Sequence, residues 1–231
     1  MYWPPLISGI LLKRYKRFLA DILLTDGTKV TAHCPNSGSM TGCSEAGRPV
    51  YISRHDNPKR KYPYTWELID MGTSLVGVNT MTPNRLVAET IVEGNISEFN
   101  GFDKIQREIK VGNHSRLDLK LEKKGSPSCY VEIKNCTLVE NNTALFPDAI
   151  TIRGQKHLAE LEILVKKGHH CVMFFLIQRM DAHGFSPADH IDPAYGEKLR
   201  QSASAGVQIL AYDVAIDLNQ IQINQKLPIY L

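Results

Sequence analysis

Three side chains near the middle of the chain carry the chemistry open to this sequence. Asp118 lies in Arg116-Leu117-Asp118-Leu119, and one turn later Val131-Glu132-Ile133-Lys134 brings a second acid and a lysine. Both acids sit among aliphatic residues, where a carboxylate is costly unless its charge is compensated. A bound cation is one compensation. Glu132 and Lys134 are two apart, so on a strand they project from one face while Ile133 enters the opposite core. If the two segments pair as a hairpin, Asp118 lies across from Glu132 or one position off. Two carboxylates then converge on one Mg²⁺ or Mn²⁺ with an ammonium beside it. This set suits phosphodiester hydrolysis: the metal polarises a phosphoryl oxygen and acidifies its water, while the lysine orients that water or stabilises the hydroxide. Glu89, on a preceding helix, is placed to add a carboxylate or hold a metal-bound water. Gln155 and Lys156, at the start of a later helix, are placed to contact the scissile phosphate. As a bare pattern, Asp-x13-Glu-x-Lys also describes a surface acid beside a cross-strand ion pair. Its placement between those two helices is what singles it out.

The elements that must position these groups fall into two kinds. Residues 6–79 read as short strands (Gly9–Leu12, Phe18–Leu24, Lys29–His33, Val50–Arg54, Tyr64–Asp70 and Ser74–Val78), with Asp26-Gly27 as a two-residue hairpin turn. Five or six strands in so short a stretch predict a small barrel, with the oligonucleotide-binding barrel the leading candidate. After Met81 the pattern changes to a helix at Arg85–Val92, capped from Thr82-Pro83-Asn84 and closed by Gly94. Strands follow at Ile105–Val111, Ser115–Leu121 and Ser128–Lys134, the first two joined by Gly112-Asn113-His114. A helix at Arg153–Lys167, a buried strand at Cys171–Gln178, a helix at Pro193–Ala205 that Asp189 or Asp192 caps, and a strand at Val207–Tyr212 complete the order. This predicts an α+β, mixed architecture: a barrel over residues 1–80 and a helix-flanked mixed sheet over 81–231.

Charge divides in the same way. The 231 residues carry a formal net charge of +3, but residues 1–80 hold ten basic and six acidic side chains, and the remainder is slightly acidic. The basic residues cluster beside aromatics, in Lys13-Arg14-Tyr15-Lys16-Arg17-Phe18 and in Lys59-Arg60-Lys61-Tyr62. Cations attract phosphate and exposed rings stack on unpaired bases, so both runs are candidate nucleic-acid contacts. A solvated basic edge that discourages sheet aggregation reads equally well from these runs alone. If the first run is one strand, Lys13, Tyr15 and Arg17 share a face. The loop Pro35–Gly42 lacks a P-loop lysine, which argues against nucleoside triphosphates. His157 reads more readily as a structural residue than a functional one, and Trp3 and Trp66 as packing residues. The opening Met1-Tyr2-Trp3-Pro4-Pro5 has no export signal, and Cys171–Ile177, the longest apolar run, falls far short of the roughly 20 residues a membrane span needs. Five cysteines without a CxxC pair fit a reducing compartment. A cytoplasmic protein without membrane association is expected.

At Asp118, Glu132 and Lys134 the sequence resembles the PD-(D/E)xK nuclease superfamily, whose helix, three strands, helix, strand core matches the order above. The resemblance places Glu89 and Gln155 at accessory positions, with Leu117 replacing the usual proline. A more extensive resemblance runs through Leu12–Asp21, Ala32–Gly42, Asp56–Lys61, Tyr64–Glu67, Val131–Thr137, Phe146–Ala149 and Arg153–His157. These segments are similar to the sugar fermentation stimulation protein A family. That resemblance implies an oligonucleotide-binding barrel, a nuclease-like second domain, and DNA binding without strong sequence preference, with RNA or single strands as further possible partners. It leaves two functions in view: a Mg²⁺- or Mn²⁺-dependent nuclease, and a non-catalytic DNA-binding regulator of maltose metabolism that keeps the nuclease scaffold.

Overall fold

Alternating and β-branched residues in the first third of the chain build strands that close on one another. The computed structural model describes residues 1–112 and 115–231, so Asn113 and His114 of the expected turn lie outside the described residues. Strands β1 (Leu6–Tyr15), β2 (Leu19–Leu24), β3 (Lys29–His33), β4 (Pro49–Arg54) and β5 (Tyr64–Asp70) pair in the order β1-β2-β3-β5-β4 and back to β1. The β3–β5 contact is parallel and short, and it closes a five-stranded barrel of the oligonucleotide-binding kind. Leu11, Ile22, Val50, Ile52 and Trp66 fill its core, and the Trp66 indole donates to the Leu68 carbonyl at 2.9 Å. Strand β6 (Leu75–Gly77) extends the sheet from β5.

Two local expectations change. The Asp26-Gly27 connection is a three-residue loop, with Leu24 N donating to Thr28 O at 2.9 Å and Gly27 at φ +84°. A single left-handed glycine closes that longer turn, whereas a two-residue turn of the expected kind needs two such residues. The alternation of Lys13, Tyr15 and Arg17 ends at Tyr15, because Lys16 and Arg17 leave the strand in a turn with φ of 50° and 63°.

The second unit begins with α1 (Thr82–Val92). Its N-cap is Met81, with no side-chain cap, because Thr82, Pro83 and Asn84 already lie inside the first turn. Pro83 is tolerated there since its missing N–H would have no helical partner, and Asn84 is diverted elsewhere. A six-stranded mixed sheet follows in the order β15-β14-β12-β9-β8-β7, built from β7 (Lys104–Val111), β8 (Ser115–Glu122), β9 (Cys129–Cys136), β12 (His170–Ile177), β14 (Gln208–Ile216) and β15 (Ile221–Lys226). Helices α2 (Ile152–Lys166) and α3 (Pro193–Ser204) cover one face. The other face packs on α1 and on Tyr51, Leu6 and Leu68 of the barrel. β12 is buried on both sides, sending Met173, Phe175 and Ile177 into the helical layer and Val172, Phe174 and Leu176 into the opposite core. Three short strands, β10 (Leu138–Glu140), β11 (Thr143–Phe146) and β13 (Gly184–Pro187), form a second small sheet beside the first. The first residues of the chain join the second unit: Met1 and Trp3 bond to Ile221 and Asn219 beside the β14–β15 turn. Among the described residues no helix is long and apolar enough to cross a membrane.

The two units meet at Gln178, which is fully buried. Its carbonyl accepts from Gly77 N at 2.8 Å, and its amide donates to Asn135 Oδ1 at 2.7 Å and to the Asn79 carbonyl at 3.3 Å. Gly77 is required by proximity: a Cβ there would lie 2.6 Å from Gln178 Oε1 and 3.2 Å from its Cβ. Gly77→Ala is therefore expected to lower stability by roughly 1–3 kcal/mol through overpacking, measured by denaturant unfolding. A variant as stable as the parent would show that the junction has room to give.

Candidate active site

The β8–β9 ladder runs from Leu121↔Cys129 to Leu119↔Val131, and continuing that register sets Asp118 opposite Glu132. At that point the Asp118 side chain replaces the backbone ladder. Its Oδ2 accepts from Ile133 N at 2.7 Å, and its Oδ1 accepts from Asn84 Nδ2 of α1 at 2.6 Å. Leu117 and Leu119, which a regular strand would direct to one face, pack in different cores, so β8 turns over at Asp118. Ile133 enters the core shared with α1, and Glu132 and Lys134 face α2, as their spacing predicts.

Glu132 is only 3% exposed. Its Oε1 accepts from Lys134 Nζ at 2.6 Å and pairs with His157 Nδ1 of α2, while its Oε2 is buried with no partner. Burial opposes the charge on Glu132, but the His157 hydrogen bond and the Lys134 ammonium outweigh it and hold the carboxyl below its ordinary pKa. Asp118 has the opposite balance. Burial, followed by repulsion from Glu132, raises its pKa from 3.8 to about 6 against the opposing hydrogen bond from Ile133 N. Beneath the site the Tyr195 hydroxyl is also buried without a partner, and burial and then Glu132 raise its pKa.

Helix α2 places His157 accurately because its start is fixed twice. Thr151 caps it by accepting from Gly154 N at 3.0 Å, and Thr151 N donates to Asp192 Oδ2 at 2.8 Å. Asp192 also caps α3, accepting from Tyr195 N at 3.0 Å, as the sequence predicts for one of its two candidate acids. Asp189 pairs with Arg200 instead.

These groups line a cleft of about 420 Å³ between the sheet and the barrel. The barrel contributes Arg17 and the loop Asn36-Ser37-Gly38, and the second unit contributes Asn84, Pro147, Asp148 and Arg153. The loop is clipped to the opposite wall by Met40 N donating to Asp148 Oδ2 at 2.9 Å and Ser39 Oγ donating to the Asp148 carbonyl at 2.5 Å. Arg14 holds the loop from below, its guanidinium donating to the carbonyls of Arg17, Asn36, Gly38 and Ser39 at 2.8–3.0 Å.

Other candidates are dispersed. Arg14 is committed to loop carbonyls and is not free to meet phosphate. Glu89 forms an ion pair with Arg85 at 2.7 Å on α1 and is not among the cleft-lining residues. Gln155 and Lys156 line a separate groove between α2 and α3, with Gln155 Nε2 donating to Asp192 Oδ1 at 3.5 Å. Lys13 pairs with Asp21, and Arg60 donates to Thr65 Oγ1 at 3.0 Å. Lys16, Lys59 and Lys61 stand exposed on the barrel. Sequence reading brings the start of α2 to the site through Gln155 and Lys156, but it does not show that Arg153 and His157 of that helix, with Asn84 of α1, are the residues that face the cleft.

Among the described residues no three His, Cys, Asp or Glu side chains converge as a metal cage. The donor set is the Asp118–Glu132 pair. An oxygen-only pair with one orphaned buried oxygen and a second acid destabilised by the first fits a hard divalent cation, which would complete its shell with water and substrate oxygens.

Residues 12–78 match the family model described as the SfsA N-terminal OB domain, and residues 81–220 match the one described as the sugar fermentation stimulation protein RE domain. The chain belongs to the sugar fermentation stimulation protein family. It is 52% identical over 231 residues to a homolog from Pelobacter propionicus, covering 100% of both chains. It is also 52% identical over 225 residues to one from Geobacter sulfurreducens, covering 97% of this chain and 96% of that one. Pyrococcus furiosus SfsA, solved in complex with Ca²⁺, superposes with a TM-score of 0.92 at 26% identity, covering 100% of this chain and 98% of the other. The family's two-part division thus follows the barrel and the mixed-sheet unit seen here.

Asp118 makes the site sensitive to pH in a defined direction. Its pKa near 3.8 when unfolded and about 6 when folded means that the folded state holds the extra proton, so stability falls as pH rises between those values and stays reduced above. Asp118→Asn is expected to exceed the parent by roughly 1–3 kcal/mol at pH 8 without divalent cations, with the difference closing below about pH 4. Denaturant unfolding across this range tests it, and a constant difference would remove Asp118 as the cause.

Proposed function

We propose that this protein binds DNA with little sequence preference and hydrolyses its phosphodiester bonds with Mg²⁺ or Mn²⁺. The observation that carries the reading is the buried pair Asp118–Glu132 with Lys134 at the floor of a cleft whose other wall is a barrel bearing Arg17. The Ca²⁺ complex of Pyrococcus furiosus SfsA supports a divalent-cation site in a relative of the same fold.

Asp118 and Glu132 are the residues that would hold the cation. A cation there supplies charge to the scissile phosphoryl group and acidifies a water. Lys134 is 14% exposed, and its ammonium stands at the edge of the carboxylate pair, where it orients the attacking water and stabilises negative charge on the phosphoryl oxygens. Arg17 and Arg153 line the cleft and attract the phosphates of the strand, while Lys16, Lys59 and Lys61 extend that attraction over the barrel. RNA and single strands fit the same contacts.

A second reading is favoured by the close pairing of Lys134 with Glu132: the protein is a DNA-binding regulator of sugar metabolism that retains the scaffold without cutting. Incubation of labelled single- and double-stranded DNA and RNA with Mg²⁺ or Mn²⁺ separates the two. Cleavage is expected, with Lys134→Ala slower by on the order of 10²–10⁴-fold. Wild-type inactivity across metals and substrates, with binding intact, favours the regulator. Binding itself makes a separate prediction: Lys59→Ala with Lys61→Ala weakens DNA affinity and flattens the log–log salt slope by roughly 1–2. An unchanged slope removes that loop from the interface.

A further inference from the structure

Of the three groups that face His157, Glu132 and Arg153 select one tautomer, and Lys134 accommodates it by turning its hydrogens to Glu132. Its Nδ1 meets Glu132 Oε1, an acceptor, and stands 3.1 Å from Lys134 Nζ. Its Nε2 lies 3.4 Å from Arg153 Nε, which can only donate. An imidazole with hydrogen on Nε2 would set two donors against each other at Arg153 and two acceptors against each other at Glu132. Hydrogen on Nδ1 resolves both contacts, and Lys134 then donates to the same Oε1 at 2.6 Å. The outcome is asymmetric: Oε1 takes both protein donors, and Oε2 is left buried with no partner. His157 is itself 5% exposed, so the ring has no solvent-facing alternative. Arg153 is exposed on the cleft wall, and its Nη groups have no carboxylate partner among the described residues.

We propose that Arg153, His157 and Glu132 form a positioning relay, in which His157 as its Nδ1–H tautomer fixes Glu132 by Oε1 and reserves Oε2 for a divalent cation, while Arg153 holds His157 by Nε and offers its Nη groups to a phosphate of the bound strand. This rests on the cation site proposed above. It adds a specific role for two helix residues that are not ligands: His157 sets which oxygen is available, and Arg153 links phosphate contact to that setting. The same logic, a histidine donating to a carboxylate to orient a ligand, is general in metal sites, where loss of such a partner weakens affinity by about 10–100-fold.

Three measurements test it on the intact chain. Nitrogen-15 shifts of the imidazole in the wild-type protein are expected to report a protonated Nδ1 and a bare Nε2, and the opposite tautomer overturns the relay without any variant. Calorimetry with Mn²⁺ is expected to give 10–100-fold weaker binding for His157→Ala, with His157→Asn, whose Nδ2–H replaces the Nδ1–H, recovering most of the loss. His157→Ala binding as tightly as wild type, or His157→Asn failing as badly as His157→Ala while both unfold like wild type, overturns it. No heat from wild-type protein overturns the cation site itself, and the relay with it. For Arg153, titration of labelled single-stranded DNA in Ca²⁺ is expected to show Arg153→Ala with a salt slope smaller by about 0.7. An identical slope removes the phosphate contact from the proposal.

Discussion

The interaction on which this structure turns is the burial of the Glu132 carboxylate in the central strands of the mixed sheet. A charge almost closed to solvent must be compensated by groups placed within hydrogen-bond reach, and here they come from two directions. Lys134 follows on the same strand with no further constraint than the pleat. His157 must be delivered by a helix, so the position of α2 becomes a condition on the charge. The fixing of α2 by Thr151 and Asp192, with Asp192 also capping α3, explains why a helix start distant in sequence is built so rigidly. Gly154 belongs to the same requirement, since a Cβ there would lie 2.9 Å from the Tyr195 ring.

Compensation is incomplete, and the incompleteness is localised. Protein donors satisfy one Glu132 oxygen and leave the other alone, while burial and then repulsion from Glu132 push the Asp118 carboxyl up. Two neighbouring acids in one sheet thereby acquire different characters, one held ionised well into the acid range and the other taking up its proton at about pH 6. The barrel completes the setting by closing the second wall. Its loop at Asn36–Met40 is held by Arg14 from beneath and by Asp148 from across, and Gly38 permits the approach because a side chain there would meet Asp148 at 2.9 Å.

How far the sequence discloses this depends on range. The acids and the lysine are legible because the period of a strand is two, and their mutual orientation follows from backbone geometry alone. The barrel is legible through alternation and turns, as is the order of the longer helices and strands in the second unit as far as β14; the edge strand β15, polar beyond Ile223, is not. Short elements such as β10, β11 and β13 are not, since three or four residues are too few to express a period. Arg14 and Arg17 look equivalent in a basic run, yet one is committed to four backbone carbonyls and the other lines the cleft, because the strand ends between them. His157 looks structural for a sound reason: it is buried and paired. What it is paired with is visible only when α2 and β9 are set side by side.

The charge asymmetry of the chain takes on a physical sense from this arrangement. A positive barrel does not relieve the acids, because the one barrel cation among the named site residues that lines their cleft, Arg17, reaches toward the Ser37 carbonyl at 3.5 Å instead of forming an ion pair with Asp118 or Glu132. The cleft therefore has Arg17 on the barrel side and, on the other, Asp118 and Glu132 with Lys134 and Arg153 beside them, and among the described residues Arg17 forms no ion pair with either acid. Direct pairing across the cleft would fill the space between the walls. Under the proposed function, that separation would leave Arg17 to a phosphate and the two acids to a cation. Such occupants would be coupled through electrostatics, because the Gln178 junction and the Asp148 clip tie the two walls of the cleft together.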